Sequence, residues 1–382
     1  MYLGKRIKQI KVDVCWIIIF SGRNEVMEDK LLQILNDYAT PLNRAGKSME
    51  EYLSTLYRDY LRDIESACDI SSNPTLGEET CGQVKSKIDL IYKLSESIVE
   101  TVRKCEAGDT DEGKIILFEA LNTIKGELTI KYTGEAYEET YYRIRKQVVG
   151  EEFELKREEL FHIPNTIKEN VAPMRFSIAE YPCLYLSSQY QLCWYECKKP
   201  ERFAISAFDV PQDGNNTEKV VDIGEHMRPL ASQFLCDFYN ERNNPEHLKK
   251  LRDYLTKQLV IYPLRAACSV IVEDCNCKIK PEYFVPQLLM QWLLQDDEFD
   301  GIRYETATDY PEAQAAGGYN LVFVSKNFDA DGYAENLRSR IRVTTPVSVN
   351  ANEIVDDVFD GRDIRDNPFV WGLEMNKDFE YI

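Results

Sequence analysis

An arginine, a tyrosine and a glutamate lie close together in the segment MRFSIAEYPCLYLSSQYQLCWYE, which covers residues 174–196. Arg175 lies near its start, Tyr185 lies in the short β-type run CLYL, and Glu196 ends it. Buried carboxylates are uncommon in proteins unless they are paired or functional. A core segment needs none of these three residues, whereas a site for an anionic ligand with a planar part could use all of them.

The neighbours of Glu196 allow two interpretations of its carboxylate. A short helix that ends before Pro200 would place Glu196 on the same face as the apolar residues Leu192 and Cys193. In one interpretation Glu196 forms an ion pair with an arginine such as Arg143 or Arg175. In the other it faces a ligand. The sequence leaves both interpretations open.

Two further arginines precede this segment. TYYRIRK predicts a strand with Arg143 and Arg145 on one face and Ile144 on the other. Taken singly, each arginine is typical of a surface charge. Together with Arg175 they offer planar guanidinium groups that suit a pyrophosphate, and Tyr185 offers an aromatic surface for a planar base.

The segments around these residues are predicted to form both helices and strands. From about Tyr137 onward short β-type runs alternate irregularly with helical segments, and no GxGxxG or GxxxxGK[ST] motif occurs. This pattern predicts an α+β fold with a mostly antiparallel sheet. The predicted strand-like runs are TYYRIR, CLYLSS, FAISAF, QLVIYPLRAACSVIV and NLVFVS.

The chain before this point is predicted to be helical. Apolar residues recur at helical spacing in MEEYLSTLYRDYLRDI, and Ser48 with Glu51 forms a capping-box pattern at its start. Further helices are predicted at about 84–104 and 112–124. We therefore predict a helical N-terminal domain at 1–136, a second domain at 137–330 with a helical insertion at about 209–258, and an acidic C-terminal segment at 331–382.

Composition restricts the class of protein. With 382 residues and a formal charge of -19, the chain lacks the basic surface that broad binding to nucleic acid or anionic membranes needs. Eleven cysteines without regular spacing and only three histidines indicate reduced thiols and no metal site. The apolar run VCWIIIF at 14–20 is too short to span a bilayer, so we expect a cytoplasmic protein. The oligomeric state, including a homo-oligomer, stays open.

Seven short motifs occur between residues 141 and 325: YYRIR (141–145), MRFS (174–177), PCLYLSS (182–188), CWYE (193–196), EYFVPQLLMQWL (282–293), DGIRY (300–304) and GGYNLVFVS (317–325). Their order and spacing, over about residues 137–330, resemble the RES domain family. The resemblance implies a fold similar to ADP-ribosyltransferases, as in family members that are NAD-degrading toxins of toxin–antitoxin pairs. It also implies that the helical N-terminal half is the extension of the longer members.

The resemblance also implies roles for individual residues. Arg143 and Arg175 take the family's arginine positions and would bind the diphosphate of NAD. Tyr185 takes the tyrosine position beside the nicotinamide, and Glu196 takes the glutamate position. The family's serine is replaced by a threonine in Tyr304-Glu305-Thr306, which keeps the hydroxyl. Glu196, Arg175 and Tyr185 are thus the predicted catalytic residues, and the predicted NAD-binding residues are Arg143, Arg145, Tyr304 and Thr306.

This set of residues suits cleavage of the nicotinamide–ribose bond. That reaction builds positive charge on the ribose, which a nearby carboxylate can stabilise, and nicotinamide leaves without a strong general acid. We therefore expect an NAD glycohydrolase, phosphorylase or ADP-ribosyltransferase-like enzyme with NAD as substrate and no metal. A growth-arresting role would imply an antitoxin partner. The acceptor could be water, phosphate or a protein side chain.

Two alternatives remain beside this expectation. A catalytically weak RES-like protein could bind a nucleotide or a partner, and the threonine at the serine position favours it. An unrelated interaction protein could use the N-terminal helices instead. A ribonuclease of the HEPN type is rejected for the N-terminal half, because its Arg-x4-6-His motif is missing before residue 137 and the first histidine is His162.

Overall fold

The computed structural model describes residues 29–128, 140–147, 155–210, 220–241, 243–315, 318–350 and 378–382. The predicted N-terminal apolar run at 14–20 and most of the acidic C-terminal segment lie outside these residues. No helix in the described ranges is long and apolar enough to cross a membrane.

The described helices and strands follow the chain in an irregular order. Five helices come first, and strands and helices then mix. The helices are α1 Lys30–Asp37, α2 Met49–Ala67, α3 Gly77–Lys85, α4 Ile88–Glu106, α5 Thr110–Leu128, α6 Arg157–Leu160, α7 Tyr190–Glu196, α8 Met227–Asn240, α9 Pro245–Cys268, α10 Phe284–Gln295, α11 Pro311–Ala315 and α12 Glu335–Arg338. The strands are β1 Thr140–Lys146, β2 Cys183–Ser187, β3 Arg202–Asp209, β4 Val220–Ile223, β5 Gly301–Tyr304, β6 Asn320–Val324, β7 Arg342–Val343 and β8 Val347–Asn350.

The eight described strands form one sheet in the order β4-β5-β6-β2-β1-β3-β7, with β8 also paired to β3. All neighbours are antiparallel except β4 and β5. The predicted α+β class with a mostly antiparallel sheet is therefore confirmed.

The chain divides into two compact units that are interleaved in sequence. The first comprises 1–39, 55–92 and 226–260, and the second comprises 40–54, 93–225 and 261–382. The predicted domain boundaries at 136 and 330 follow chain order instead, so they stay predictions. The sheet and every residue of the candidate site lie in the second unit.

The described part of the first unit is helical. Leu31, Leu32 and Leu35 of α1 are buried because they recur on one face of that helix. The hydroxyl of Tyr60 donates to the carbonyl of Leu259 at 2.7 Å, and the hydroxyl of Tyr38 donates to Asp63 at 2.6 Å. Both phenols thus reach a polar partner while their rings fill the core.

Two faces of the sheet carry separate apolar clusters in the second unit. Side chains alternate along each strand, so Leu184 and Leu186 of β2 pack on one face with Phe208 and Phe323. On the other face Tyr142 and Ile144 of β1 pack against Tyr190 and Cys193 of α7, with Phe203 and Ile205 of β3. Helix α7 is thereby held against the face that carries the candidate site.

The structure confirms several sequence predictions and corrects others. Helix α2 begins where the Ser48 cap predicts, since the backbone N–H of Glu51 donates to the Ser48 hydroxyl at 3.1 Å. The predicted β-type run QLVIYPLRAACSVIV is wrong for most of its length, because α9 continues through Cys268. Leu259, Ile261 and Leu264 are buried all around that helix. A run of apolar residues without alternation does not distinguish a buried helix from a buried strand.

Two elements lie where the sequence predicted none. Strand β4 falls inside the predicted helical insertion and pairs with β5 in parallel. The start of the predicted acidic C-terminal segment contains α12, β7 and β8, and both strands pair with β3. Short strands of two to four residues carry too little periodicity to be recognised from sequence.

Candidate active site

The ends of three neighbouring strands lie side by side at one end of the sheet. Asn320, the first residue of β6, pairs with Ser187 at the end of β2 and with Tyr304 at the end of β5. Residues directly opposite one another in a sheet project to the same face. Ser187, Asn320 and Tyr304 therefore lie side by side, and Tyr185 follows two positions back on the same face.

Helix α7 brings Glu196 to this end of the sheet. The helix follows β2 after two residues, and its buried residues Tyr190, Leu192 and Cys193 hold it against the sheet. The Cys193 thiol donates to the carbonyl of Tyr142 at 3.1 Å. Glu196 is the last residue of the helix, so its side chain extends beyond the apolar contact of α7.

One oxygen of the Glu196 carboxylate accepts two hydrogen bonds. The Thr306 hydroxyl donates to Oε1 at 2.7 Å, and the Asn320 amide donates to the same atom at 2.9 Å. Among the described residues, Oε2 has no hydrogen-bond partner and Glu196 has no ion-pair partner within 4.0 Å. Of the two interpretations of Glu196, the ion pair with Arg143 or Arg175 is therefore not found.

Glu196 is open to solvent on one side and enclosed by protein on the others. The residue as a whole is exposed. Nevertheless, desolvation by the surrounding protein raises the pKa of its carboxyl group, while the Thr306 hydrogen bond, the charge of Arg175 and the Asn320 hydrogen bond oppose that rise.

Arg175 is held in place by backbone carbonyls. Its Nη1 atom donates to the carbonyls of Cys268 and Val270 at 3.1 and 3.0 Å. Cys268 ends helix α9, where carbonyl groups carry partial negative charge. The guanidinium carbon lies 5.3 Å from the ring centre of Tyr283. The Nε and Nη2 atoms donate to no described residue, so this part of the guanidinium group is available to an anion.

The two predicted tyrosines lie on the same face of the sheet. The ring of Tyr304 packs against Phe176 with ring centres 4.4 Å apart, and burial raises the pKa of Tyr304 well above its usual range. The Tyr185 hydroxyl is buried beside Ser177 and Phe176 but lacks good hydrogen-bonding geometry to either. A buried hydroxyl without a partner is costly, which favours a ligand at this position.

The two arginines of β1 differ. Arg145 is exposed and donates to the carbonyl of Glu159 at 2.9 Å, so the structure does not bring it to the site. Burial lowers the pKa of Arg143 to about 10, and its Nη1 atom has no described partner. Its charge influences Tyr185 and Cys193, yet it is not among the groups that act on Glu196. Strand alternation also turns Arg143 to the face of β1 opposite Tyr142 and Ser187, so the structure does not bring its side chain to the carboxylate.

Three residues of this site were not predicted from the sequence. Asn320 and Ser187 lie in the quoted motifs GGYNLVFVS and PCLYLSS, and Tyr283 lies in EYFVPQLLMQWL. Nothing in their local spacing distinguishes them from structural residues, because their contacts depend on strand pairing. Thr306 was predicted, but its side chain is 1% exposed and its hydroxyl donates to Glu196. We therefore assign Thr306 to the support of Glu196 and not to a ligand contact.

Comparison with known proteins yields one informative relative. The chain is 24% identical over 282 residues to a Bacillus subtilis (strain 168) protein named "Putative toxin YopC". The alignment covers 72% of this chain and 60% of that relative, so the chain matches less than two thirds of the relative's length. No family model matches the chain, and no solved structure matches it.

Proposed function

We propose that this chain consumes NAD by cleaving the bond between nicotinamide and ribose, as the RES resemblance implies. The observation that carries the proposal is the Glu196 carboxylate, which is fixed through Oε1 and open at Oε2 beside the charge of Arg175. A fixed carboxylate with one free oxygen can stabilise the positive charge that develops on the ribose as nicotinamide leaves.

A cationic group supports an anionic substrate. Arg175 is oriented in advance by two carbonyls and offers two free guanidinium nitrogens. An anionic group of the substrate that contacts Arg175 would therefore meet a guanidinium group that the protein has already oriented. Arg143 is half-buried and projects from the other face of β1, so it does not contribute to this part of the site.

The proposed role in the cell is growth arrest. It rests on the relative named a putative toxin and on the RES resemblance, since some members of that family degrade NAD. A neighbouring antitoxin would then restrain the enzyme, and the charge of -19 favours a partner with basic or apolar surface. A cytoplasmic location would give the enzyme access to the NAD pool.

A second candidate is a protein that binds a nucleotide without turnover. The threonine at the family's serine position motivates it. However, the Thr306 hydroxyl makes a hydrogen bond to Glu196 that a serine hydroxyl could also make. This contact favours the enzyme over the second candidate.

The decisive experiment measures nicotinamide release from NAD by the purified full-length chain. We expect release by the wild type and a loss of about a hundredfold or more in Glu196→Gln, because one preorganised electrostatic group is removed. Glu201→Gln is the matched control, since Glu201 is exposed and the same charge is removed away from the site. Its rate should equal that of the wild type. Product analysis with and without phosphate identifies the acceptor.

Two outcomes would contradict the proposal. Equal rates for the wild type and Glu196→Gln would remove Glu196 from the reaction. Tight binding of ADP-ribose without any nicotinamide release would support the nucleotide-binding alternative instead.

A further inference from the structure

We propose that Ser187 and Asn320 form a hydrogen-bonded relay that orients Glu196 and keeps it ionised, so that Oε2 is the oxygen that acts on the substrate. Both are positioning residues, because they act through Glu196. The inference rests on the proposed function for its catalytic meaning, but the relay itself can be tested without substrate.

The direction of the relay follows from the donors and acceptors present. An ionised carboxylate can only accept hydrogen bonds, so the Asn320 amide must turn its nitrogen toward Glu196. Its oxygen Oδ1 then faces Ser187, whose hydroxyl donates to it. If this hydroxyl were missing, the Asn320 amide could rotate and present its oxygen to the carboxylate. Ser187 therefore fixes the orientation of the amide.

The backbone around Asn320 limits its movement. Ser188 and Tyr319 exchange two hydrogen bonds of 2.9 Å, one from the Ser188 N–H to the Tyr319 carbonyl and one from the Tyr319 N–H to the Ser188 hydroxyl. Asn320 and Ser187 are also paired across β6 and β2 and are both buried. These contacts hold Asn320 in place within β6 while its amide nitrogen faces the carboxylate.

The consequence for Glu196 concerns both geometry and charge. Desolvation favours the protonated form, which could not stabilise a positive ribose. Hydrogen bonds from Thr306 and Asn320 favour the ionised form. Because both donors occupy Oε1, they leave Oε2 as the oxygen without a described partner. The same two hydrogen bonds thus favour the ionised form and leave Oε2 to face the substrate.

The test compares Asn320→Leu and Ser187→Ala with the wild type by two measurements. The first is the pH dependence of kcat/KM for NAD, whose acidic limb reports the pKa of an essential carboxylate. The second is a carboxyl-carbon NMR titration of glutamate-labelled protein, in which the Glu196 signal is assigned by its loss in Glu196→Gln. Asn170→Leu is the matched control, because Asn170 is exposed.

We expect Asn320→Leu to move both the acidic limb and the NMR titration upward by about one pH unit or more, since a hydrogen bond to the charged form is lost. Ser187→Ala should move both in the same direction by a smaller amount. Asn170→Leu should move neither. A fall in kcat for Asn320→Leu without any change in the Glu196 titration would overturn the relay.

The two proposals fail in distinguishable ways. If the NMR titration shifts as expected but the wild type releases no nicotinamide, the relay stands and the proposed reaction is wrong. If the wild type releases nicotinamide and the Glu196 titration is the same in all variants, the reaction stands and the relay is wrong.

Discussion

At the scale of single residues, the contact that Thr306 makes changes the role assigned to its hydroxyl. The resemblance implies a hydroxyl that serves NAD, whereas the structure directs this hydroxyl to Oε1 of Glu196. Its effect on the reaction is therefore expected in turnover and not in the affinity for the diphosphate.

The prediction for this position compares Thr306→Ser with Thr306→Val. Serine keeps the hydrogen bond, so kcat should stay within a few fold of the wild type. Valine cannot donate, and the loss of one hydrogen bond to a charged group corresponds to about 1.5–3 kcal/mol, or roughly a ten- to hundredfold lower kcat. Affinity for ADP-ribose, measured by calorimetry, should change little. A large loss of affinity in Thr306→Val with unchanged kcat would place the hydroxyl on the ligand instead.

At the scale of elements, the backbone at Gly318 shapes the start of β6, since Gly318 lies two residues before Asn320. Gly318 has a φ of +80°, in the left-handed region, and an added Cβ would lie 2.7 Å from the Ser188 hydroxyl oxygen. Only glycine adopts this backbone conformation without strain and also leaves room for Ser188.

We expect Gly318→Ala to lower the free energy of unfolding by about 1–3 kcal/mol, through backbone strain and the displaced serine. Urea denaturation followed by circular dichroism measures this loss. Gly126→Ala is the control, because Gly126 lies exposed in α5 with no atom within 4 Å of an added Cβ. That substitution should raise stability by up to about 1 kcal/mol. Equal effects at both glycines would mean that the backbone conformation of Gly318 does not constrain the chain.

At the scale of the whole molecule, a buried histidine should make stability depend on pH. His162 is 1% exposed, its Nδ1 contacts the carbonyl of Ile163 at 2.8 Å, and its Nε2 accepts the N–H of Ala334 at 3.0 Å. Burial lowers its pKa to about 4. The imidazole is therefore neutral in the folded protein.

The sign of the pH effect follows from this shift. The unfolded chain binds a proton at His162 near pH 6.5, whereas the folded chain resists protonation until about pH 4. The contribution of neutral His162 to the free energy of unfolding is fully present above the pKa of the unfolded chain. Up to about 3 kcal/mol of it is lost as the pH falls from about 6.5 to about 4. His162→Gln should lower stability at pH 7.5 but flatten this dependence in urea titrations at several pH values. An unchanged slope in the variant would assign the pH dependence to other groups.

Growth arrest is the second prediction for the whole molecule. Expression of the wild type in a bacterial host should lower cellular NAD and slow growth. Arg175→Ala should relieve both effects, because it removes the guanidinium that is anchored beside Glu196. Cellular NAD and culture density are measured together, and immunoblotting confirms equal protein levels. If both forms are equally toxic, the harm has a source outside this site.

The features that depend on local periodicity could be predicted from the sequence. Helix α2 follows from apolar spacing and the Ser48 cap, and strands β1, β2, β3 and β6 follow from short β-type runs. Glu196, Arg175 and Tyr185 could be selected because their residue types are unusual in an otherwise apolar segment. These inferences succeed because a side chain's face is set by its position within one helix or strand.

Contacts between residues that are distant in the chain could not be predicted in this way. Thr306 and Asn320 are 110 and 124 positions from Glu196, and both reach the same carboxylate oxygen. The assignment of Arg145 to an exposed position and of residues 258–268 to a helix also required the structure. The physical reason is that strand register and burial on all sides depend on partners elsewhere in the chain, and one segment's periodicity carries no information about those partners.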